Sequence, residues 1–168
     1  AFSESVSLYV WGMIIALTRK LLLIDSLVRN NSWEKAKGMT LAGKTIGVIG
    51  AGNIGKSVIG TGIGFQMRVL INDIKKIDKT FLNKYKASQV SKSTLLKESD
   101  IVVLCVDLNQ TSYHLISSSE LKKMKKGSYI INISRGPVID EKALIIALCN
   151  DIIAGAGLDV FEKEPLQK

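Results

Sequence analysis

"KTIGVIGAGNIGKSV" (44–58) is a short β-branched run, Thr45 to Ile49, followed at once by three glycines at 50, 52 and 55 and then by Val58, Ile59 and Ile63 at helical spacing. Glycines spaced GxGxxG arise readily by chance. A strand before them and a helix after them supply the context in which the spacing acquires meaning. In that context Gly50 makes the tight turn, Gly52 lets the backbone approach a pyrophosphate, and Gly55 lets helix and strand pack closely. The N–H groups near Asn53 and Ile54 then face the phosphates at the positive end of the helix dipole. The stretch predicts a turn that holds a dinucleotide.

The next strand supplies a second test. "MRVLIND" (67–73) ends on Asp73, eighteen residues beyond Gly55. A carboxylate there accepts from the adenosine ribose 2′-OH and repels a 2′-phosphate, which favours NAD over NADP. The neighbouring Lys75 and Lys76 soften that discrimination, and an Asp that only caps a turn is the bland alternative.

Farther along, a helix near 79–85 and a short strand at 87–90 are expected. "STLLKESD" (93–100) reads as a helix opened by its serine, "DIVVLCV" (100–106) as a strand, and "SSSELKKMKKG" (117–127) as a capped helix with lysines in its last turn. "SYIINIS" (128–134), "DEKALIIALCN" (140–150) and "IIAGAGLDV" (152–160) give strand, helix, strand. This alternation predicts an α/β protein with a Rossmann-type doubly wound parallel sheet in three α/β/α layers.

Upstream, Val6, Val10, Ile14, Leu17, Leu21, Ile24 and Val28 form one helical stripe over the first thirty residues. Leu22, Leu23 and Leu27 widen its apolar face, so this long N-terminal helix is expected to pack against more than its own domain, a partner subunit being one candidate. The expected division is 1–40 for helix and connector and 41–168 for the Rossmann core.

Composition narrows the class. The 168 residues are 46% hydrophobic and 23% charged, an ordinary single globular domain. The formal net charge of +8 is scattered rather than gathered in a stripe with aromatics, so no nucleic acid is expected. Apolar stretches fall short of the roughly 20 residues that span a membrane. Cys105 and Cys149 form neither CxxC nor zinc spacing; both read as small buried apolar residues in a reducing, cytoplasmic setting, and no metal site is expected. The opening lacks an initiator Met and a basic n-region, so it reads as cut from a longer chain rather than as a signal peptide.

In open parallel sheets ligands bind at the carboxyl ends of the strands. "NISRGPVIDEKAL" (132–144) places Arg135 at one such end, where it can grip a carboxylate bidentately. "AGLDVFEKEP" (156–165) places Asp159 and Glu164 at the next.

Together, "GAGNIG", "NISRGPVIDEKAL" and "AGAGLDVFEKEPL" resemble the signatures of the D-isomer-specific 2-hydroxyacid dehydrogenases, which include phosphoglycerate dehydrogenase and glyoxylate/hydroxypyruvate reductase. "SESVSLYVWGMIIALTRKL" and Trp33 are similar to that family's long helix and connector, so the likeness runs over practically the whole chain. The resemblance implies an NAD-binding domain that serves hydride transfer between NAD(H) and a D-2-hydroxy or 2-oxo acid, 3-phosphoglycerate among the candidates. It implies that Arg135 binds the substrate carboxylate, that Glu164 pairs with the catalytic histidine, and that Asp159 lies near the nicotinamide carboxamide. It assigns the pyrophosphate to Asn53 and Ile54, the ribose to Asp73, and the rest of the groove to Val106, Thr111, Ile133, Ser134 and Arg135. It also implies a homodimer built through the N-terminal helix. An ordinary surface ion pair is the bland alternative for Arg135 and Glu164.

Hydride transfer at C2 needs a proton carrier for the C2 oxygen, and histidine is the natural one near neutral pH. The chain has one histidine, His114. In the family the catalytic histidine follows "FEKEP", and His114 matches a variable position beside the cofactor groove. A flavodoxin-like substrate domain, which the family builds from flanking segments, is likewise absent from these 168 residues, so the chain alone is expected to turn over nothing. Formate dehydrogenases carry an amide where this chain has Glu164. An NAD-sensing dimeric binding protein, like the related corepressors, is the alternative from another functional class, and an NAD-bound hydrolase a third.

Overall fold

In the computed structural model, which describes residues 2–166, the β-branched runs form the strands of one sheet and the amphipathic stretches cover it. In chain order the elements are α1 (Phe2–Thr18), α2 (Leu21–Arg29), β1 (Thr45–Ile49), α3 (Asn53–Thr61), β2 (Arg68–Asn72), α4 (Lys79–Tyr85), β3 (Ala87–Gln89), α5 (Lys92–Glu98), β4 (Ile101–Leu104), α6 (Ser118–Leu121), β5 (Tyr129–Asn132), α7 (Glu141–Cys149) and β6 (Gly155–Leu158). All six strands are parallel in the order β3-β2-β1-β4-β5-β6, the doubly wound order whose switch point lies between β1 and β4.

β1 and β4 are buried along their whole length, which is why they read as continuous apolar runs rather than alternating ones. On one face Val102, Leu104 and Ile130 meet Leu95 and Leu96 of α5, Leu121 of α6 and Leu144 of α7. On the other Ile46, Val48, Val103 and Ile131 meet Val10 and Ile14 of α1 and Val58 and Ile59 of α3. These two cores make the three expected layers. Each buried Leu or Ile contributes about 1.5–3 kcal/mol of transfer free energy.

α1 is fixed to α3 by Trp11. Its indole N–H donates to the Val58 carbonyl at 2.9 Å, and its ring stacks on Phe65 with centroids 4.4 Å apart. A side chain at Gly62 would collide with that indole, which explains a glycine where the expected helix from Asn53 to Ile63 instead ends at Thr61 and tightens into a 3-10 turn over Gly62–Phe65.

The N-terminal stripe departs from expectation. One helix to residue 30 is expected, but it breaks after Thr18, with Lys20 in the left-handed region at φ 55 and the two segments bent by 59°. The cause lies in the connector: the Met39 N–H takes the Thr18 carbonyl at 2.7 Å, and Gly38 sits so close to it that a Cβ would be 2.7 Å away. None of α2's residues is buried. Among the described residues no single helix is long and apolar enough to cross a membrane; α1 and α2 pass that test only as the bent pair, and α1's inner face is buried in the core.

Three smaller expectations also change. α5 is capped by the Ser91 hydroxyl, which accepts from the Thr94 N–H at 3.1 Å, not by the serine that opens 93–100. The helix expected over 117–127 stops at Leu121, and the lysines follow in turns, where Lys125 donates to Asp100 at 2.7 Å. Cys149 is exposed and Cys105 is only half-buried, although the desolvation of its thiol pushes it up to about 12.

Within the turns around α6, Glu120 is the most constrained carboxylate. Burial opposes its ionisation, but the Ser117 and Ser119 hydroxyls and the Lys92 ammonium outweigh burial and hold its carboxyl down at about 2.

Candidate active site and nucleotide cleft

At the β1/β4 switch point the carboxyl ends of β1, β2 and β4 open into a cleft of about 500 Å³. Gly50 and Gly52 from the first turn, Asp73 from the end of β2, and Val106 and Thr111 from beyond β4 all line it. Sequence reasoning missed Lys56, Asn109, Ser112 and Leu115, which line it too. Lys56 falls one turn into α3, so the helical period signals it. The others sit on a turn whose path is set by local hydrogen bonds: the Asn109 side chain accepts from the Thr111 N–H and hydroxyl, and Ser112 donates to the Asp107 carbonyl at 2.6 Å.

The three glycines divide by cause. At Gly50 φ is +91, and a Cβ would stand 2.4 Å from the Cys105 carbonyl oxygen. At Gly55 a Cβ would stand 2.1 Å from the Gly50 oxygen. The protein itself therefore forbids side chains at both positions. At Gly52 φ is −69 and nothing lies within 4 Å of the position a Cβ would take. No contact within the chain excludes a side chain there, and the space opens on the first turn of α3.

α4, α5 and α7 are capped by the side chains of Asp78, Ser91 and Asp140, whereas α3 begins at Gly52 without a side-chain cap. Its first N–H groups, at Asn53, Ile54 and Gly55, lack intrahelical acceptors by construction. An uncapped helix start beside an open cradle fits a pyrophosphate.

Asp73 is half-buried and accepts from the Ala51 N–H at 2.7 Å and the Lys75 N–H at 2.8 Å. One carboxylate oxygen thus ties the glycine turn to the end of β2, and Asp73 lines the cleft. The capping role foreseen as its alternative is present.

Other anticipated residues stand elsewhere. Ser134 is buried: its hydroxyl donates to the Leu104 carbonyl at 2.8 Å and accepts from the Val106 N–H at 3.0 Å, which ties the ends of β4 and β5 together. Ile133 is half-buried against the α1 side of the sheet. Asp159 is exposed and extends the β6 ladder through its N–H to the Asn132 carbonyl at 3.0 Å. Arg135 is exposed just after β5 and donates to the Ser134 carbonyl at 2.7 Å, while Glu164 is exposed and accepts from the Phe161 N–H at 2.9 Å. These two do not line the cleft, but their segments touch: the Phe161–Glu162 backbone fills the place where a Gly136 side chain would be.

The family model for the D-isomer specific 2-hydroxyacid dehydrogenase NAD-binding domain matches residues 11–168. This chain belongs to that family. Similar proteins include the glyoxylate reductase of Thermofilum pendens, 40% identical over 98% of this chain and 50% of its own length, and the glyoxylate/hydroxypyruvate reductase B of Serratia proteamaculans, 38% identical over 98% and 52%. A solved D-lactate dehydrogenase from Aquifex aeolicus, complexed with NAD and lactic acid, superposes with a TM-score of 0.91 at 35% identity, over 96% of this chain and 49% of that one. The chain spans about half the length of the curated relatives it matches. The dehydrogenase domain's cofactor is NAD, and its six-strand parallel sheet is the Rossmann-like sheet of these enzymes.

Proposed function

We propose that this domain serves the NAD-dependent interconversion of a small 2-oxo acid and its D-2-hydroxy acid. The observation that carries the reading is the contact of two motifs at the carboxyl ends of β5 and β6, where the Arg135–Gly136 turn and the Phe161–Glu164 segment pack backbone to backbone. Bound NAD supplies hydride transfer. Arg135 grips the substrate carboxylate with its planar fork, which orients the C2 carbonyl. Glu164 accepts a hydrogen bond from the histidine that moves the proton at the C2 oxygen and stabilises its charged form. In the family that histidine follows the segment that ends in Glu164 and Pro165, and the pocket for the substrate's remainder belongs to a second, substrate domain.

In the cleft, the α3 N-terminus and Gly52 hold the pyrophosphate through Asn53 and Ile54, and Asp73 holds the adenosine ribose. Val106 and Thr111 would line the rest of the groove, with Ser134 holding the Val106 N–H and Ile133 beside it, and Asp159 would lie near the nicotinamide carboxamide. The relatives' names, glyoxylate and hydroxypyruvate reductase and D-lactate dehydrogenase, favour a short 2-oxo acid over 3-phosphoglycerate.

A homodimer through the N-terminal helices accounts for the exposed Phe2, Leu8, Leu22 and Trp33. Light scattering reads this directly, and a clean monomer at high concentration counts against it. The free Cys105 and Cys149 suit a reducing cytoplasm.

The test is a substrate panel. The full-length protein is expected to oxidise NADH with glyoxylate, hydroxypyruvate or pyruvate, and residues 1–168 alone to show no turnover. Absence of turnover with every 2-oxo acid by the full-length protein would remove this reading.

A further inference from the structure

Beside the nucleotide cleft, on the turn that carries Ser112 and Leu115, three segments meet at the carboxylate of Glu162. Its Oε1 lies 2.7 Å from His114 Nε2 and also accepts, at 3.4 Å, from the Glu141 N–H at the start of α7. In return the Glu162 N–H donates to the Glu141 carboxylate. His114 is held in the left-handed region at φ 47, with its ring stacked on Tyr113 at 4.1 Å and its N–H on the Pro137 carbonyl at 2.8 Å. A non-glycine residue keeps such a backbone only where its surroundings hold it.

This cluster stands between the two groups assigned to the substrate. Arg135 immediately precedes Gly136, on which the Phe161–Glu162 peptide rests, and Glu164 follows Glu162 by two residues and folds back onto the Phe161 N–H. We propose that Glu162 and His114 are positioning residues that hold the segment carrying Glu164 in fixed register with the Arg135 turn. The proposal rests on the reading of Arg135 and Glu164 given under Proposed function. It also gives His114 a role in which it neither enters the cleft nor touches substrate.

The His114–Glu162 contact is about one-third exposed on each side, so as a stabilising contact alone it is worth little. Geometry is another matter, because a displacement of about 1 Å in a reacting constellation lowers turnover by up to roughly 100-fold. In the full-length protein, Glu162→Ala is therefore expected to lower kcat about tenfold or more, with the KM for NADH held within about twofold. Glu162→Gln is expected to restore kcat to within about threefold, since its amide oxygen still accepts from His114 Nε2–H and the Glu141 N–H. His114→Ala combined with Glu162→Ala is expected to be no worse than Glu162→Ala alone, as for two halves of one contact.

Amide exchange at Phe161 and Glu162 gives a readout independent of turnover. It is expected to accelerate about tenfold in Glu162→Ala and to stay unchanged in Glu162→Gln. Unchanged exchange and unchanged kcat in Glu162→Ala would overturn the proposal, as would a Glu162→Gln variant as impaired as Glu162→Ala. A full-length protein inactive on every 2-oxo acid would overturn the reading of the reaction and the positioning role with it, while the exchange rates would still report whether the clamp exists.

Discussion

Gly52→Ala is expected to weaken NAD binding by about tenfold or more while leaving the fold intact, and Gly55→Ala is expected to do the reverse of sparing the fold. The added methyl at 52 meets no protein atom within 4 Å, and φ −69 suits any residue. Alanine is a poorer N-cap than glycine, so a loss of about 1 kcal/mol or less is expected, a shift of roughly 2–4 °C in a domain of this size. The methyl would stand in the space before the α3 N–H groups, where a pyrophosphate must come close. At Gly55 the same methyl would lie 2.1 Å from a backbone oxygen, which cannot swing aside as a side chain does. Overpacking of that kind costs about 3 kcal/mol, or roughly 6–12 °C. Calorimetric titration with NAD beside thermal melts separates the two. Unweakened binding by Gly52→Ala would show that the open cradle is not where the pyrophosphate sits.

Arg135→Ala in the full-length enzyme is expected to lower kcat/KM for a 2-oxo acid by roughly 100-fold or more. A charged hydrogen bond contributes about 1.5–3 kcal/mol, and a bidentate grip on a carboxylate exceeds a single one; about 2.7 kcal/mol already amounts to 100-fold. The Kd for NADH is expected to change less than about threefold, because Arg135 is exposed and lies outside the cleft lining. Arg135→Lys recovers only part of the loss, since a lysine cannot present the planar fork. Steady-state kinetics together with a direct NADH titration make the comparison. A variant with full kcat/KM would leave Arg135 with only its bond to the Ser134 carbonyl and no part in substrate binding.

The sheet was legible because its signals are local. Val48, Val103 and Ile131 lie in apolar runs that suit a buried parallel sheet, and the glycine turn marks where β1 gives way to α3. Asp73 was legible by distance along the chain, and its local bond to the Lys75 N–H as a turn cap, but its bond to the Ala51 N–H was not, because it forms only once β1 and β2 lie side by side. The break after Thr18 was hidden for the same reason: Met39, whose N–H takes the Thr18 carbonyl, arrives from twenty-one residues away. The lysines at 122–126 looked like a final helical turn, yet Lys125 reaches the buried Asp100 at the foot of β4 instead. Ser112 and Asn109 escaped notice because turns carry no periodicity that would aim a side chain at a cleft. His114 was visible only as a solitary histidine, and its partner Glu162 stands forty-eight residues downstream.

The central claim is that NAD occupies the β1/β4 cleft, and nuclear magnetic resonance titration of the nitrogen-15-labelled chain with NAD tests it most directly. The predicted result is saturable shifts at the Gly52, Asn53 and Ile54 amides, at Asp73, and at Val106 and Ser112. An absence of saturable shifts, or shifts gathered instead at the apolar hollow lined by Ile24, Val28 and Trp33, would contradict it.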